Sequence, residues 1–179
     1  LSRIFSMTRN KSRAKLQAVG IDISKEGIRI AARDNIEIIW CVADLAKLPF
    51  KDKQFDVILN VLSPASYTEF DRVLKDTGIL IKVVPESGYL IQLRNIFFDR
   101  TDKEAYSNEK VIKLFTENFH LIENQRLSYE VELDETSLYH LLNMTPLTWN
   151  VDKEKMQKVN NMRISKITAD FRILCGNKF

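Results

Sequence analysis

The stretch Ala18-Val-Gly-Ile-Asp-Ile-Ser24 decides the fold of this chain. It predicts a short buried strand that ends at an acidic residue, Asp22, and then a helix that Ser24 caps at its N-terminus. A second apolar run, Ile38 to Ala43, ends in the same way at Asp44. Two strands that each stop at a carboxylate, with a helix between them, indicate a parallel α/β sheet.

A third predicted strand, Gln54 to Asn60, leads to the dipeptide Ser63-Pro64. In open parallel sheets, ligands bind outside the carboxyl ends of the strands. One carboxylate at that edge can accept hydrogen bonds from both hydroxyls of a ribose, and a second can accept one from the amino group of adenine. The spacing of Asp22 and Asp44 therefore indicates a site for an adenosyl cofactor.

The rest of the first half continues the alternation of strands and helices. An amphipathic helix is predicted from Tyr67, ending in the turn Lys75–Gly78, where the glycine stops the helix before a fourth strand, Ile79 to Val84. A preceding short helix near Leu1 and a basic loop from Thr8 to Lys15 complete this half. The predicted class is a doubly wound parallel sheet.

The second half has a different pattern. Leu121–Leu133 and Ile167–Cys175 alternate apolar and polar residues, which predicts an antiparallel pair of strands that closes the sheet. Between them Asp134 caps a predicted helix, and the break Met144–Trp149 precedes another helix that starts at Asp152. Two earlier helices are predicted at Tyr89–Phe98 and Lys110–Phe119. We interpret residues 134–164 as an insertion within a single domain that spans residues 1–179.

The composition is typical of a soluble globular domain. The 179 residues are 45% hydrophobic and 28% charged, with a formal net charge of +3, which permits a polyanionic partner without requiring one. No run is long enough to span a bilayer and no signal peptide or lipidation motif is visible, so we expect no membrane association and a cytoplasmic location.

The two cysteines, Cys41 and Cys175, lie in apolar runs and are expected to be buried, reduced thiols. No metal site is predicted.

Taken together, these motifs resemble the class I S-adenosylmethionine-dependent methyltransferases, whose Rossmann-like sheet ends with an antiparallel strand. By this resemblance, Asp22 holds the ribose, Ile23 packs on the adenine, and Ala43-Asp44-Leu45 lies at the adenine edge. Asn60 ends the strand that leads to the reacting methyl group and is assigned to the cofactor. Leu74–Gly78 is similar to the Leu-Lys-Pro-Gly-Gly turn of the family, although Asp-Thr replaces Pro-Gly.

Several motifs resemble a narrower group, the methyltransferases that modify guanine N1 in 23S ribosomal RNA. The matching motifs are Gly20–Lys25, Leu48-Pro-Phe50, Asn60-Val-Leu-Ser-Pro64, Phe70–Leu74 and, most specifically, Leu142-Asn-Met-Thr-Pro146 before Trp149. The resemblance implies 23S rRNA as the partner and homodimer formation as an option. It places the substrate at Ser63, Pro64, Met144, Thr145, Pro146 and Trp149.

Two parts of that family have no match in this sequence: its N-terminal cysteine-rich zinc module and the first strand with its glycine-rich cofactor loop. We therefore expect zinc only in a module that is missing here. Leu1 is not an initiator methionine, and the predicted helix is already under way there. These observations predict that the chain is a fragment, or the ordered part of a longer protein.

Each proposed role has a structural alternative. Asp22 is also suited to stabilising a helix N-terminus, and Asp44 to capping a loop. Asn60 with Ser63-Pro64 can form an ordinary loop, and Met144–Trp149 can anchor the insertion. A phosphate track of Arg94, Arg100, Lys103, Lys110 and Lys113 competes with a simple solvated helix face. His120 and His140 have no partner at ligand spacing and are expected in the core or at the surface.

Three other functions compete with methylation of ribosomal RNA. A class I methyltransferase that acts on a small molecule shares the first half of the pattern, and dependence of the activity on RNA distinguishes it. A cofactor-free binding module with the same fold would not bind S-adenosylhomocysteine. A nicotinamide-dependent dehydrogenase fits less well, because the positions of Asp44 and Pro64 match a methyltransferase better.

Overall fold

A computed structural model describes residues 16–34, 36–98, 107–149, 151–152, 154–156, 159, 162 and 164–179. The predicted helix near Leu1 and the loop Thr8–Lys15 lie outside these residues. The chain divides into two units, residues 1–51 and 52–179, and each is described by itself. No helix in the described part of the chain has the length and apolar character needed to cross a bilayer.

The first unit contains two parallel strands joined by a helix. Strand β1 (Val19–Asp22) pairs with β2 (Ile39–Val42) in a register that places Asp22 opposite Val42. Helix α1 (Lys25–Asp34) connects them and buries Ile28. The Oγ of Ser24 accepts a hydrogen bond from the backbone N–H of Gly27 at 3.1 Å, which confirms Ser24 as the helix cap.

The second unit is built on a four-stranded sheet with the order β3-β4-β6-β5. Strands β3 and β4 are parallel, whereas β6 runs antiparallel to both of its neighbours, which confirms the predicted antiparallel last strand. The elements in chain order are β3 (Phe55–Val61), α2 (Tyr67–Val73), β4 (Leu74–Pro85), α3 (Ile91–Phe98), α4 (Glu109–Asn118), β5 (His120–Glu132), α5 (Glu135–Met144), a 3₁₀ turn (Pro146–Thr148) and β6 (Lys166–Asn177).

No strand among those described is hydrogen-bonded to both β1 and β3, so they form two sheets. Strands β1 and β2, joined by α1, are parallel, and so are β3 and β4, joined by α2, as the alternation of strands and helices predicted. Strands β5 and β6 are antiparallel although α5 lies between them in the chain.

The predicted turn at Lys75–Gly78 is wrong. Helix α2 ends at Val73, and the fully buried Leu74 already has extended backbone angles and begins β4. The four residues after Leu74 form a bulge, because Phe55 pairs with Leu74 whereas Val57 pairs with Ile79. Gly78 does not have a positive φ. It is required because a Cβ there would lie 2.6 Å from the Cγ of Leu74.

Aromatic side chains form the core next to this sheet. The ring of Tyr67 lies 6.1–6.3 Å from those of Phe70, Phe115 and Phe119, and the three phenylalanines are buried. Burial raises the pKa of Tyr67 to about 12. Gly176 lets α4 approach β6, since a Cβ at that position would lie 2.8 Å from the ring of Phe115. These contacts fix α2 and α4 on the sheet.

Strands β5 and β6 extend beyond the sheet as a two-stranded ribbon. Strand β4 ends at Pro85, opposite Phe171, whereas residues 166–170 of β6 pair only with β5. At about 3.3 Å per residue, this ribbon projects roughly 16 Å past the end of β4. The insertion at 134–164 begins and ends at its tip, where the backbone N–H of Leu133 donates to the carbonyl of Ser165 at 2.8 Å.

The insertion packs on α3 through an apolar core. Leu138 and Leu142 of α5 lie in one cluster with Leu93 and Phe97 of α3, together with Val159. The side chain of Asp134 accepts a hydrogen bond from the backbone N–H of Ser137 at 2.7 Å, so the predicted cap is confirmed. The insertion is therefore held against the domain.

The two cysteines are free thiols, as predicted, but each is only half-buried. Cys41 lies on β2 and Cys175 on β6. Burial raises the pKa of the Cys175 thiol, with a further contribution from the charge of Glu123. Cys175 is therefore a poor nucleophile, because the thiolate is the reactive form.

Candidate functional site

The polar ends of β1 and β2 lie side by side in the first unit. The backbone N–H of Ala43 donates to the carbonyl of Asp22 at 3.0 Å, directly after the last paired residues of the two strands. Asp44 follows as the next residue and is exposed, as is Asp22. The structure thus brings the two predicted carboxylates to one edge of this sheet.

Each of the two carboxylates stabilises the turn that follows it. The Oδ1 of Asp22 accepts from the backbone N–H of Ser24 at 2.8 Å, and the Oδ1 of Asp44 accepts from that of Ala46 at 2.9 Å. Beside Asp22, the side chain of Ile23 is 73% exposed, which is unusual for a residue of its size. Ala43 and Leu45 are half-buried. The edge thus combines two fixed carboxylates with an uncovered apolar side chain.

In the second unit, hydrogen bonds from side chains hold the loop that follows β3, which has no regular secondary structure. Asn60 is buried, and its Nδ2 donates to the carbonyl of Pro64 at 2.9 Å. The Nζ of Lys82 on β4 donates to the Oδ1 of Asn60 at 2.5 Å and to the carbonyl of Ser63 at 3.1 Å. Leu62 has a φ of 49°, which marks the sharp change of direction after the strand.

A second polar cluster lies where β4 ends. Glu86 is nearly buried and accepts hydrogen bonds from Arg172 at 2.6 Å and from Asn108 at 3.0 Å. Burial alone would raise the pKa of Glu86, but these hydrogen bonds outweigh that effect and leave the pKa lowered.

The second carboxylate of the cluster, Asp170, is fully buried. It accepts hydrogen bonds from Arg126 at 2.7 and 2.9 Å and from the backbone N–H of Gly88 at 2.8 Å. Arg126 and Arg172 are paired across the strands, so each needs its carboxylate partner.

Asp170→Asn is expected to lower the free energy of unfolding by about 2 kcal/mol at pH 7, because it removes the charge that accepts hydrogen bonds from Arg126, whose own side chain is half exposed. The hydrogen bonds from Arg126 lower the pKa of Asp170. The stability that they provide is therefore complete above about pH 4 and is lost as the pH falls further. Urea unfolding should show that the difference between wild type and variant shrinks at pH 3. Glu130→Gln, in an exposed pair with Lys166, serves as the control and should change stability by less than about 0.5 kcal/mol.

The predicted substrate residues at Met144–Trp149 divide into two kinds. The Met144 and Trp149 side chains are 70% and 72% exposed, and Pro146 is also exposed. Thr145 is buried, and its hydroxyl caps the 3₁₀ turn by accepting from the N–H of Leu147 at 3.4 Å. The hydroxyl of Thr148 donates to the carbonyls of Leu142 and Thr145. The turn is therefore rigid, and it presents Trp149 to solvent.

The predicted phosphate track is not supported at Arg94, which is buried on α3 rather than placed on a solvated face. Lys110 and Lys113 are exposed on α4, whereas Arg100 and Lys103 lie outside the described residues. His120 and His140 are both exposed, and the ring of His140 lies 5.7 Å from that of Tyr139. In the part of the chain that the structure describes, no group of three His, Cys, Asp or Glu residues is placed to hold a metal ion.

Comparison with known proteins decides the family. Residues 5–82 match the methyltransferase domain family. A solved structure from Bacillus halodurans, provisionally assigned as a methyltransferase, superposes with a TM-score of 0.57 at 16% identity, covering 91% of this chain and 83% of that one. The chain has the fold of the class I methyltransferases. Its α/β architecture and antiparallel last strand are those of this fold.

Two curated relatives of this chain carry more specific names. A Bacillus subtilis protein, provisionally named a 23S rRNA (guanine-N(1)-)-methyltransferase, is 43% identical over 159 residues, which cover 89% of this chain and 56% of the relative. The 23S rRNA (guanine(748)-N(1))-methyltransferase of Streptomyces fradiae is 28% identical over 142 residues, 77% of this chain and 49% of the relative. The chain thus spans about half the length of these relatives.

Sequence reasoning missed Lys82 and the cluster of Glu86 and Asp170. One signal was visible: Lys82 interrupts the apolar run Ile79-Leu-Ile-Lys-Val-Val84. A lysine within a predicted central strand is unexpected, because burial of its charge is costly unless it finds partners. Its partners, Asn60 and Ser63, become apparent only when β3 and β4 are paired.

Proposed function

We propose that this methyltransferase uses S-adenosylmethionine to methylate N1 of a guanine in 23S ribosomal RNA. The match to the Bacillus subtilis relative carries the proposal. It extends over 159 residues, so it cannot be confined to the domain match at residues 5–82 and must reach the second half of the chain, where the insertion lies. The shared parts therefore include more than the cofactor-binding half that many methyltransferases have in common.

The residues of the first unit fit the adenosyl part of the cofactor. Asp22 uses Oδ1 for its own turn, which leaves Oδ2 for the ribose hydroxyls, and Asp44 has the same arrangement for the adenine amino group. The flat adenine ring would cover the exposed side chain of Ile23 and remove apolar surface from water. Ala43 and Leu45 flank Asp44 and complete the proposed adenine edge. Asn60, at the end of β3 in the other unit, stays a predicted cofactor residue from the resemblance, and its Nδ2 donates to the carbonyl of Pro64.

The residues of the second unit fit the acceptor. Ser63 and Pro64 lie in the loop that follows β3, at the same edge of the four-stranded sheet as the projecting ribbon. The ribbon carries the insertion, whose exposed residues Met144, Pro146 and Trp149 are proposed to contact RNA, while Thr145 caps their turn. An exposed tryptophan can stack on an unpaired base. This arrangement supports a substrate larger than a single nucleotide.

Methyl transfer from a sulfonium is an in-line displacement, so the protein contributes mainly by positioning the acceptor. When bound, the cofactor supplies an electrophilic methyl group. The N1 proton of guanine must leave during the reaction, and the carbonyls of Ser63 and Pro64 lie in the loop proposed to face the base. No described side chain is assigned as the general base. Moving the base into the site costs a few kcal/mol, and least in an RNA loop.

The proposal makes 23S ribosomal RNA the partner and the cytoplasm its place of action. Pairing of two copies and an N-terminal zinc module remain predictions from the resemblance. Both concern the complete protein rather than the residues described here.

The direct test uses the protein expressed from its complete reading frame, with methyl-labelled S-adenosylmethionine and unmodified 23S rRNA. After digestion of the RNA, the label is expected in 1-methylguanosine. Free guanosine should not be labelled, because the insertion is proposed to require an RNA acceptor. Label in a different nucleoside would contradict the guanine N1 assignment. Binding of S-adenosylhomocysteine with no label in RNA would keep the cofactor site and reject the ribosomal acceptor.

A further inference from the structure

Lys82 is a buried cation in the middle of β4. The residue is 3% exposed, and its neighbours along the strand, Ile81 and Val83, are apolar. Its ammonium group donates to the side chain of Asn60 and to the backbone carbonyl of Ser63. Both acceptors belong to the end of β3 and the loop that follows. Lys82 therefore connects the core of the sheet with that loop.

The contacts of Lys82 determine the orientation of the Asn60 amide. Because the ammonium group can only donate, the Oδ1 of Asn60 must face it, and Nδ2 must point toward Pro64. Two consecutive carbonyls, of Ser63 and Pro64, are thereby held by one lysine and one asparagine. Leu62, the residue immediately before them, has a φ of 49° and carries the strain of the turn after β3. The loop conformation is thus imposed by side chains and does not follow from local sequence preference.

Burying a charged lysine at this position lowers the free energy of unfolding. Burial lowers the pKa of Lys82, which shows that the surroundings disfavour its charge. A methionine of similar length would fill the same space without that cost, and apolar replacements of buried charges are often neutral or stabilising. We therefore attribute the role of Lys82 to the conformation of the loop that it holds, and not to the stability of the sheet.

We propose that Lys82 is a positioning residue for methyl transfer, which acts by holding the Ser63-Pro64 loop in the conformation that receives the acceptor base. This inference rests on the proposed function, because it takes this loop as the acceptor side of the site. It extends that function to a residue that lies in the sheet and contacts the acceptor only through Asn60 and Ser63.

The test compares Lys82→Met with Lys75→Met in the full-length protein. Lys75 is on the same strand, but it is exposed and paired with Asp56 at 2.7 Å, so it serves as the matched control. For Lys82→Met we expect kcat for RNA methylation to fall 10- to 100-fold. The Kd for S-adenosylhomocysteine should rise much less than kcat falls, although Lys82 also orients Asn60, which is assigned to the cofactor. KM for RNA should likewise rise less than kcat falls. Lys75→Met should change none of these values.

A wild-type kcat in Lys82→Met would overturn the proposal, and so would a loss of cofactor binding as large as the loss of kcat. Lys82→Gln, which is polar and neutral, provides a second variant if the methionine variant is unstable, and it should show the same pattern. If the wild-type protein does not methylate RNA, the proposed function fails, and hydrogen exchange then tests Lys82 alone. Faster exchange at the amides of Leu62, Ser63 and Ala65 in Lys82→Met, with β4 unchanged, would support its role in the loop, and unchanged exchange would overturn it.

Discussion

Asp22→Asn is expected to weaken the binding of S-adenosylhomocysteine by about 10- to 100-fold. A hydrogen bond to a charged group contributes about 1.5–3 kcal/mol, and the substitution removes the charge that accepts from the ribose. Asparagine keeps an oxygen for the backbone N–H of Ser24, so the turn at the start of α1 is preserved. Isothermal titration calorimetry of the full-length protein measures the change in Kd, and thermal unfolding checks that the fold is intact.

Two further variants separate binding from folding at Asp22. Glu26→Gln removes a nearby exposed carboxylate that is paired only with Arg29, and it should leave the Kd unchanged. Asp22→Ala also removes the acceptor for Ser24, so it should weaken binding at least as much as Asp22→Asn and lower the melting temperature as well. Unchanged binding in both Asp22 variants would leave only the alternative role, stabilisation of the helix N-terminus.

The features that the sequence predicted correctly are those that neighbouring residues determine. Ser24 and Asp134 cap their helices because each side-chain oxygen reaches a backbone N–H three residues ahead. The ends of β1 and β2 were predicted because apolar runs stop at Asp22 and Asp44. The antiparallel closing strands followed from alternation of apolar and polar residues. None of these inferences needs a distant contact.

The features that were missed depend on which strands are paired. The bulge after Leu74 forms because that residue is buried and pairs with Phe55, whereas the local sequence is also compatible with a helix ending in a turn. Arg94 was expected on a solvated face, but α3 turns it inward. The contacts of Asp170 with Gly88 and Arg126 join residues that lie far apart in sequence. Such contacts cannot be derived before the order of the strands is known.

In the candidate site, too, features set by neighbouring residues were predicted and features set by strand pairing were missed. The carboxylates of the cofactor side were recognised because strand ends are a local signal. On the acceptor side, Ser63 and Pro64 were recognised from a motif, whereas Lys82, which holds them, was not. Thr145 was grouped with Trp149 as a substrate residue, yet its side chain is buried in its own turn. Within this motif, exposed residues such as Trp149 are therefore candidates to contact a ligand, whereas the buried Thr145 stabilises the turn that carries them.

Trp149→Ala is expected to raise KM for RNA by about 5- to 100-fold, because stacking of a base on an aromatic ring contributes about 1–3 kcal/mol. The side chain is 72% exposed on a turn that Thr145 and Thr148 fix from below, so its loss should change the melting temperature little. Steady-state kinetics with an RNA hairpin as the varied substrate measure the effect. The Kd for S-adenosylhomocysteine should stay constant.

Trp149→Phe should restore most of the affinity, because a phenyl ring still stacks on a base. Ile122→Ala removes another exposed apolar side chain, 58% exposed on β5 and far along the strand from the insertion, and it should leave KM unchanged. If Trp149 instead anchors the insertion, the alanine variant would lower the melting temperature and phenylalanine would restore stability. An unchanged KM with a lowered melting temperature would therefore assign Trp149 to the fold and move the search for the base-stacking residue to Tyr139, which is 65% exposed on α5.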